Sequence, residues 1–196
     1  MIDDKIKAAL QNYGGIITVK QSKSVGISHA GILRAVRSGE LERIAHGVYG
    51  ATDEFDDDLY SRQIHRVKAI YSHDTALYLH GLTDRDPLTF SVTVPTGYNT
   101  KRLISEGFTV FSVKQDLYEI GITEMATKYG HIVKTYNAER TLCDCVRSRS
   151  RMDVNITTEA IKRYVKRKDR DIYLLMDISA KFGVQKMMRS YLEVLL

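Results

Sequence analysis

Cysteine is scarce. Cys143 and Cys145 are the two in a chain of 196 residues, and on a helix their spacing turns them to different faces. That argues against a disulfide between them, and no second pair completes a zinc knuckle. A reduced, intracellular, metal-free protein with no cofactor is therefore expected. No apolar run approaches the ~18 residues of a membrane span. The opening stretch "MIDDKIKAAL" has no basic region leading into an apolar core, so no secretory signal is expected and the cytoplasm is the expected location. Internal repeats and low-complexity linkers are missing. So are a serine elbow, a phosphate-binding glycine loop and a paired-carboxylate nuclease signature, which leaves no positive sign of an enzyme.

What is present is basic charge, unevenly spread. The net charge is +5, with 43% hydrophobic and 27% charged residues, ordinary for a globular protein. Residues 1–50 carry seven Lys/Arg against four Asp/Glu, residues 51–60 carry five acids and no base, and residues 134–171 carry eleven bases against six acids. Two basic segments around an acidic joint suggest a polyanion as partner. A solvated charged surface is the alternative for either segment alone.

The first basic segment has internal order. Ile2, Ile6, Ala9, Leu10 and Tyr13 repeat at helical spacing until Gly14 and Gly15. Thr18 can cap a short helix from about Val19 to Val25, with Gly26 as its left-handed end. Ser28 can cap a third helix from His29 to about Ser38, which Gly39 stops. Two short helices joined by a glycine turn form a helix-turn-helix. On the third helix, His29, Ile32, Leu33 and Val36 gather on the side expected to pack inward. Ala30, Gly31, Arg34 and Ser38 fall opposite, with Arg37 on the flank.

Small residues near the start of this helix allow close approach to a groove wall. The planar fork of Arg34 or Arg37 suits a guanine edge or a phosphate. After Gly39, "ELERIAHGVYGAT" alternates and turns tightly at "AHG", predicting a two-stranded wing with Arg43 and His46 at its tip. The unit reads as a winged helix-turn-helix, with Lys20, Gln21, Lys23, Ser28, His29, Arg34, Arg37, Arg43 and His46 as candidate DNA contacts. Lys20, Gln21 and Lys23 are the phosphate holders in this reading. A small helical domain that docks on protein is the alternative.

The remainder predicts a mixed α+β domain with a small sheet and a helical C-terminal third, so the fold class is α+β. The boundaries expected are 1–52 for the winged unit and 60–196 for the second domain. Residues from Tyr60 to Gly81 fit one or two helices through Ile64, Val67, Ile70, Tyr71, Ala76, Leu77 and Leu79. Strands are expected in "LTFSVTVP", "FTVFSVK", Ile122–Ala126 and His131–Thr135, with a short helix in "GYNTKRLISEG". Four helices follow, with Asn137 and Thr157 as caps. His73 and His80, seven apart, would lie roughly 10 Å apart along a helix, too far to share one ion. Asp74 reads as a local capping or pairing residue. A second basic patch is formed by Arg147, Arg149, Arg151, Lys162, Arg163, Lys166 and Arg167, either as solvated surface or as a phosphate- or protein-docking face.

Behind such an N-terminus stand "IYSHDTALYLHGLTDRDPLTFSVTVP" and "YNAERTLCDCV". With His73, Thr75, Ala76 and Gly81 in the first and Glu139, Arg140, Thr141, Leu142 and Asp144 in the second, the chain resembles the AbiEi antitoxins of bacterial type IV toxin–antitoxin (abortive infection) systems. The resemblance covers nearly the whole chain. It implies a repressor that binds inverted repeats in its own promoter, double-stranded DNA being one partner. It also implies an antitoxin that opposes a nucleotidyltransferase-like toxin without a stable complex. Glu139 and Arg140 read either as a structural pair at a helix start or as residues facing the target of antitoxin action. A ligand-sensing winged-helix regulator with no toxin partner is the alternative function, and a DNA-targeted nuclease a further rival.

Overall fold

The computed structural model describes residues 4–51 and 57–195. Ile2 and most of the acidic stretch expected to mark a domain boundary lie outside the described residues. The chain divides into two compact units. One comprises residues up to Arg66 together with Ala126–Ile132; the other comprises Val67–Met125 and Val133–Leu196.

In the first unit the order is α1 (Asp4–Asn12), β1 (Ile16–Thr18), α2 (Val19–Ser24), α3 (His29–Arg37), β2 (Leu41–Ala45), β3 (Val48–Ala51) and α4 (Asp58–Gln63). Thr18 and Gln21 form a capping box at the start of α2, and Ser28 Oγ accepts from the Gly31 amide at the start of α3. Both devices satisfy amides that a helix start leaves without partners. Gly26 takes φ +78° between the two helices, a conformation costly for any side chain with a Cβ. Ile6, Ala9, Leu10, Ile17, Ile27, Ile32, Ala35, Leu41 and Tyr49 form the core.

The sequence pattern does not predict β1. It pairs antiparallel with β3, which pairs with β2, giving the order β1-β3-β2. All three β1 residues are buried, so the strand shows no period-2 alternation to read. The β2–β3 hairpin carries a register shift between Arg43 and Ala45 and turns through Gly47 at φ +71°.

Residues 126–132, assigned to this unit, meet α4 at Asp57. This buried carboxylate caps α4 by accepting from the Tyr60 amide and also accepts from Thr127 Oγ1. The His131 ring lies 2.8 Å from Asp57 Oδ2 and 3.1 Å from the Tyr13 carbonyl, and it stacks on Tyr60 at 4.4 Å.

The second unit contains β4 (Ile70–Tyr71), α5 (His73–Leu79), β5 (Ser91–Pro95), α6 (Lys101–Ser105), β6 (Thr109–Val113), α7 (Gln115–Tyr118), β7 (Ile122–Ala126), β8 (Ile132–Tyr136), α8 (Ala138–Arg147), α9 (Val154–Val165), α10 (Ile172–Lys181) and α11 (Gln185–Leu195). The five-stranded sheet runs β6-β5-β4-β8-β7. β4 pairs antiparallel with β5 and parallel with β8, and β5 pairs parallel with β6. The fold is α+β, as expected.

In this unit α7 has no counterpart in the sequence expectation, and two further elements differ from it. Ile70 and Tyr71, placed in a helix by spacing, form the central strand, while Val67 of the same supposed stripe is 70% exposed. Thr157 does not cap α9; Asp153 does, accepting from the Asn155 amide. Among the described residues no helix is long and apolar enough to cross a membrane.

Candidate nucleic-acid interface

The third helix decides whether the first unit can enter a groove. Ile32 and Ala35 are buried and Val36 is half-buried, so the inward stripe runs through positions 32, 35 and 36. His29 and Leu33, expected to pack inward, are instead exposed. Ala35 is small enough to bring α3 close to its neighbours, and its burial turns the helix relative to the expected face. The outward face therefore carries His29, Ala30, Leu33, Arg34 and Arg37, with Arg37 near its middle rather than on its flank. Gly31 is half-buried. No acid lies on this helix. An open groove beside it is lined by Ile6, Gly31, Arg34, Ala35, Arg37 and Ser38, with Glu40, just past the helix end, as its one acid among the described residues.

Arg34 and Arg37 are exposed and make no ion pair among the described residues; the same holds for Lys20 and Lys23 on α2. Gln21 sits differently. It is half-buried, and its Oε1 accepts from the Thr18 amide at 2.8 Å and from Thr18 Oγ1 at 2.9 Å. The side chain is thus committed to holding α2 in place. Ser28 is exposed and caps α3. At the hairpin tip, Arg43 Nη2 lies 2.9 Å from His46 Nδ1, and Arg43 Nε donates to the Ala45 carbonyl. The tip is held in shape by its own side chains, with both residues exposed.

The second set of basic residues is placed otherwise. Arg163 forms a forked pair with Asp84, at 2.9 and 2.5 Å. Arg167 forks onto Asp169 and donates to the His80 carbonyl. Its hydrogen bond holds the Asp169 carboxyl down at about 2. Lys162 pairs with Glu159 at 2.8 Å. The Arg151 guanidinium lies over the Phe111 ring at 4.1 Å and that of Arg147 over Phe182 at 5.7 Å. Arg149 and Lys166 are exposed. Most of these cations already have protein partners.

The residues behind the resemblance are structural in placement. His73, Thr75, Ala76, Glu139, Arg140, Thr141, Leu142 and Asp144 are all buried, whereas Gly81 is exposed. Arg140 donates to the carbonyls of Leu117 and Ile120 and, through Nε at 3.0 Å, to Asp144. Its guanidinium lies between the rings of Tyr136 and Phe182 at 4.1 and 4.0 Å. Glu139 accepts from the Tyr164 hydroxyl. Thr75 Oγ1 accepts from the Ser91 amide, tying α5 to β5.

The two histidines considered as ligands also have other partners. The His73 ring faces the Ser72 and Ser148 hydroxyls, and His80 donates to the Tyr136 carbonyl. Asp74 lies half-buried in the first turn of α5, and burial raises its carboxyl. Among the described residues, no three His, Cys, Asp or Glu side chains group to hold an ion.

Known proteins resemble the chain in the sequence of its N-terminal unit and in its fold. The family described as "Transcriptional regulator, AbiEi antitoxin" matches residues 4–52, the helix-turn-helix and its hairpin. The crystal structure of the RV2827C protein from Mycobacterium tuberculosis superposes with a TM-score of 0.54 at 11% identity, over 98% of this chain and 82% of that one. At that identity the likeness is one of fold. No curated protein matches the chain.

Proposed function

Proceeding from an N-terminal unit that carries the AbiEi antitoxin family pattern over residues 4–52, we propose that this protein is the antitoxin of a type IV toxin–antitoxin system and represses its own operon. α3 enters the major groove of promoter DNA, Arg34 and Arg37 meet bases or phosphates, and Lys20, Lys23, Ser28 and His29 hold the flanking backbone. Gln21 supports Lys20 and Lys23 by capping the helix that carries them. The hairpin lays Arg43 and His46 along a neighbouring phosphate strand or minor groove. The observation that carries the reading is an acid-free outward helix face with two unpaired arginines beside a small residue, Ala30. An ordinary surface helix would pair such cations with carboxylates along the same face.

The second unit is assigned the antitoxin task, opposing a nucleotidyltransferase-like toxin in the cytoplasm without a stable complex. This part rests on the resemblance carried by His73, Thr75, Ala76 and Gly81 and by Glu139 to Leu142 with Asp144, since the family match over residues 4–52 lies in the first unit.

The test is a gel-shift titration against the protein's own upstream DNA with scrambled competitor at two salt concentrations. Two-step, salt-sensitive, specific shifts are expected if paired repeats are occupied. Arg37→Ala should weaken specific binding by roughly 1–3 kcal/mol if that arginine reads a base. Absence of any specific shift would overturn the DNA reading and leave the N-terminal unit as a protein-docking module.

A further inference from the structure

The outward face of α3 holds one side chain that neither phosphate nor guanine recognition uses. Leu33 is 37% exposed, while Ile32 and Ala35 beside it are 0% and 3% exposed. A solitary surface leucine is ordinary, so its company matters here. His29, Leu33 and Arg37 are spaced four apart, forming one row up the helix, each about 40° and 6 Å from the next. Ala30 and Arg34 form the adjoining row, and Ala30 is too small to cover Leu33. The face thus offers cationic or ring donors around a single apolar centre.

The major-groove edge of DNA has a matching composition. It presents acceptors on guanine, donors on adenine and cytosine, and one apolar group, the 5-methyl of thymine. We propose that Leu33 reads a thymine methyl within two base pairs of the guanine contacted by Arg34 or Arg37; this rests on the reading of α3 as the recognition helix. The distance follows from the helix, since four residues rise about 6 Å and base pairs are spaced at about 3.4 Å. The choice of base follows from the chemistry. Leu33 against thymine removes two apolar groups from water. Against cytosine it would cover the N4 amino donor and leave it without a partner.

The experiment replaces each thymine of the operator in turn by deoxyuridine, which deletes the methyl and keeps the base pair. Wild-type protein and Leu33→Ala are titrated against each duplex. At one position in each half-site the wild type should weaken about fourfold, the effect of one buried methyl-sized group. Leu33→Ala should bind the thymine and deoxyuridine duplexes equally there. The thymine–deoxyuridine ratio is taken within each protein at a temperature below both thermal melts, which separates an effect on DNA binding from an effect on folding. If no deoxyuridine position affects the wild type, or if Leu33→Ala keeps the full sensitivity, Leu33 reads no methyl even though operator binding stands. If the wild type shows no preference for operator over scrambled DNA, both the inference and the reading beneath it fall.

Discussion

At the level of single residues, His73 is held by backbone, ring stacking and hydrogen bonds together. It is the one non-glycine residue with a positive φ among the described residues, at +49°, and its ring is 2% exposed and stacked on Phe111. Burial, and then the charges of Arg140, Arg151 and Arg147, push its pKa well below the usual imidazole range. The neutral ring finds a hydroxyl at each nitrogen, Ser72 at 2.9 Å and Ser148 at 3.0 Å, and a hydroxyl can donate or accept. In the unfolded chain this histidine takes up a proton near pH 6.5, whereas the folded protein resists it. Stability present above that pH is therefore lost as the pH falls, by about 1.4 kcal/mol per unit. Asp144 acts with the opposite sign. Burial pushes its carboxyl up to about 6 against the pull of Arg140, so the folded state gains stability as the pH falls through that value. His73→Asn separates the two, because asparagine tolerates a positive φ and does not titrate. The wild type should lose its advantage over this variant progressively between pH 6.5 and 5 in urea unfolding. A gap that stays constant across that range would remove His73 from the acid response.

Among the elements, the turn joining α2 to α3 offers the cleanest test. A Cβ at Gly26 would meet no atom within 4 Å, so Gly26→Ala adds backbone strain without a clash. The expected loss is about 1–2 kcal/mol of stability in the first unit, read as a lower urea midpoint. An unchanged midpoint would mean that the turn relaxes into another conformation. This turn is legible in the sequence because Thr18, Ser28, Gly26 and Gly39 each mark a helix end by a local rule, and all four hold. Elements set by distant contacts are not. β4 is two residues long and buried on both faces, and chance apolar spacing around it imitates a helix. The first turn of α9 contains Val154, Ile156 and Thr157, β-branched residues that favour other conformations, which hides Asp153 as the cap. One small residue accounts for the difference in the outward face of α3. Counting Ala35 as core aligns 32, 35 and 36 and releases His29 and Leu33. The Asp57–His131 contact joins residues 74 apart, and no local pattern marks it.

Across the whole molecule, the 29 Lys and Arg behind the net charge of +5 include two contrasting sets. Those on α2 and α3 stand without carboxylate partners among the described residues. Lys162, Arg163 and Arg167 are each paired with an acid. When an unpaired lysine meets a phosphate, it displaces condensed counterions, and affinity acquires salt dependence. When Arg163 does so, it must release Asp84, and the freed carboxylate then repels the duplex. The two sets should therefore differ in salt response rather than in affinity alone. Replacing Lys20 and Lys23 by Gln should reduce the slope of log K against log salt by about 0.9 for each phosphate no longer neutralised. Replacing Lys162, Arg163 and Arg167 by Gln should leave that slope unchanged. A reduced slope in the triple variant would show that phosphate outcompetes Glu159, Asp84 and Asp169, and the C-terminal helices would then join the DNA-binding surface. An unchanged slope in the double variant would take α2 off the phosphate backbone and leave α3 and the hairpin to hold the duplex.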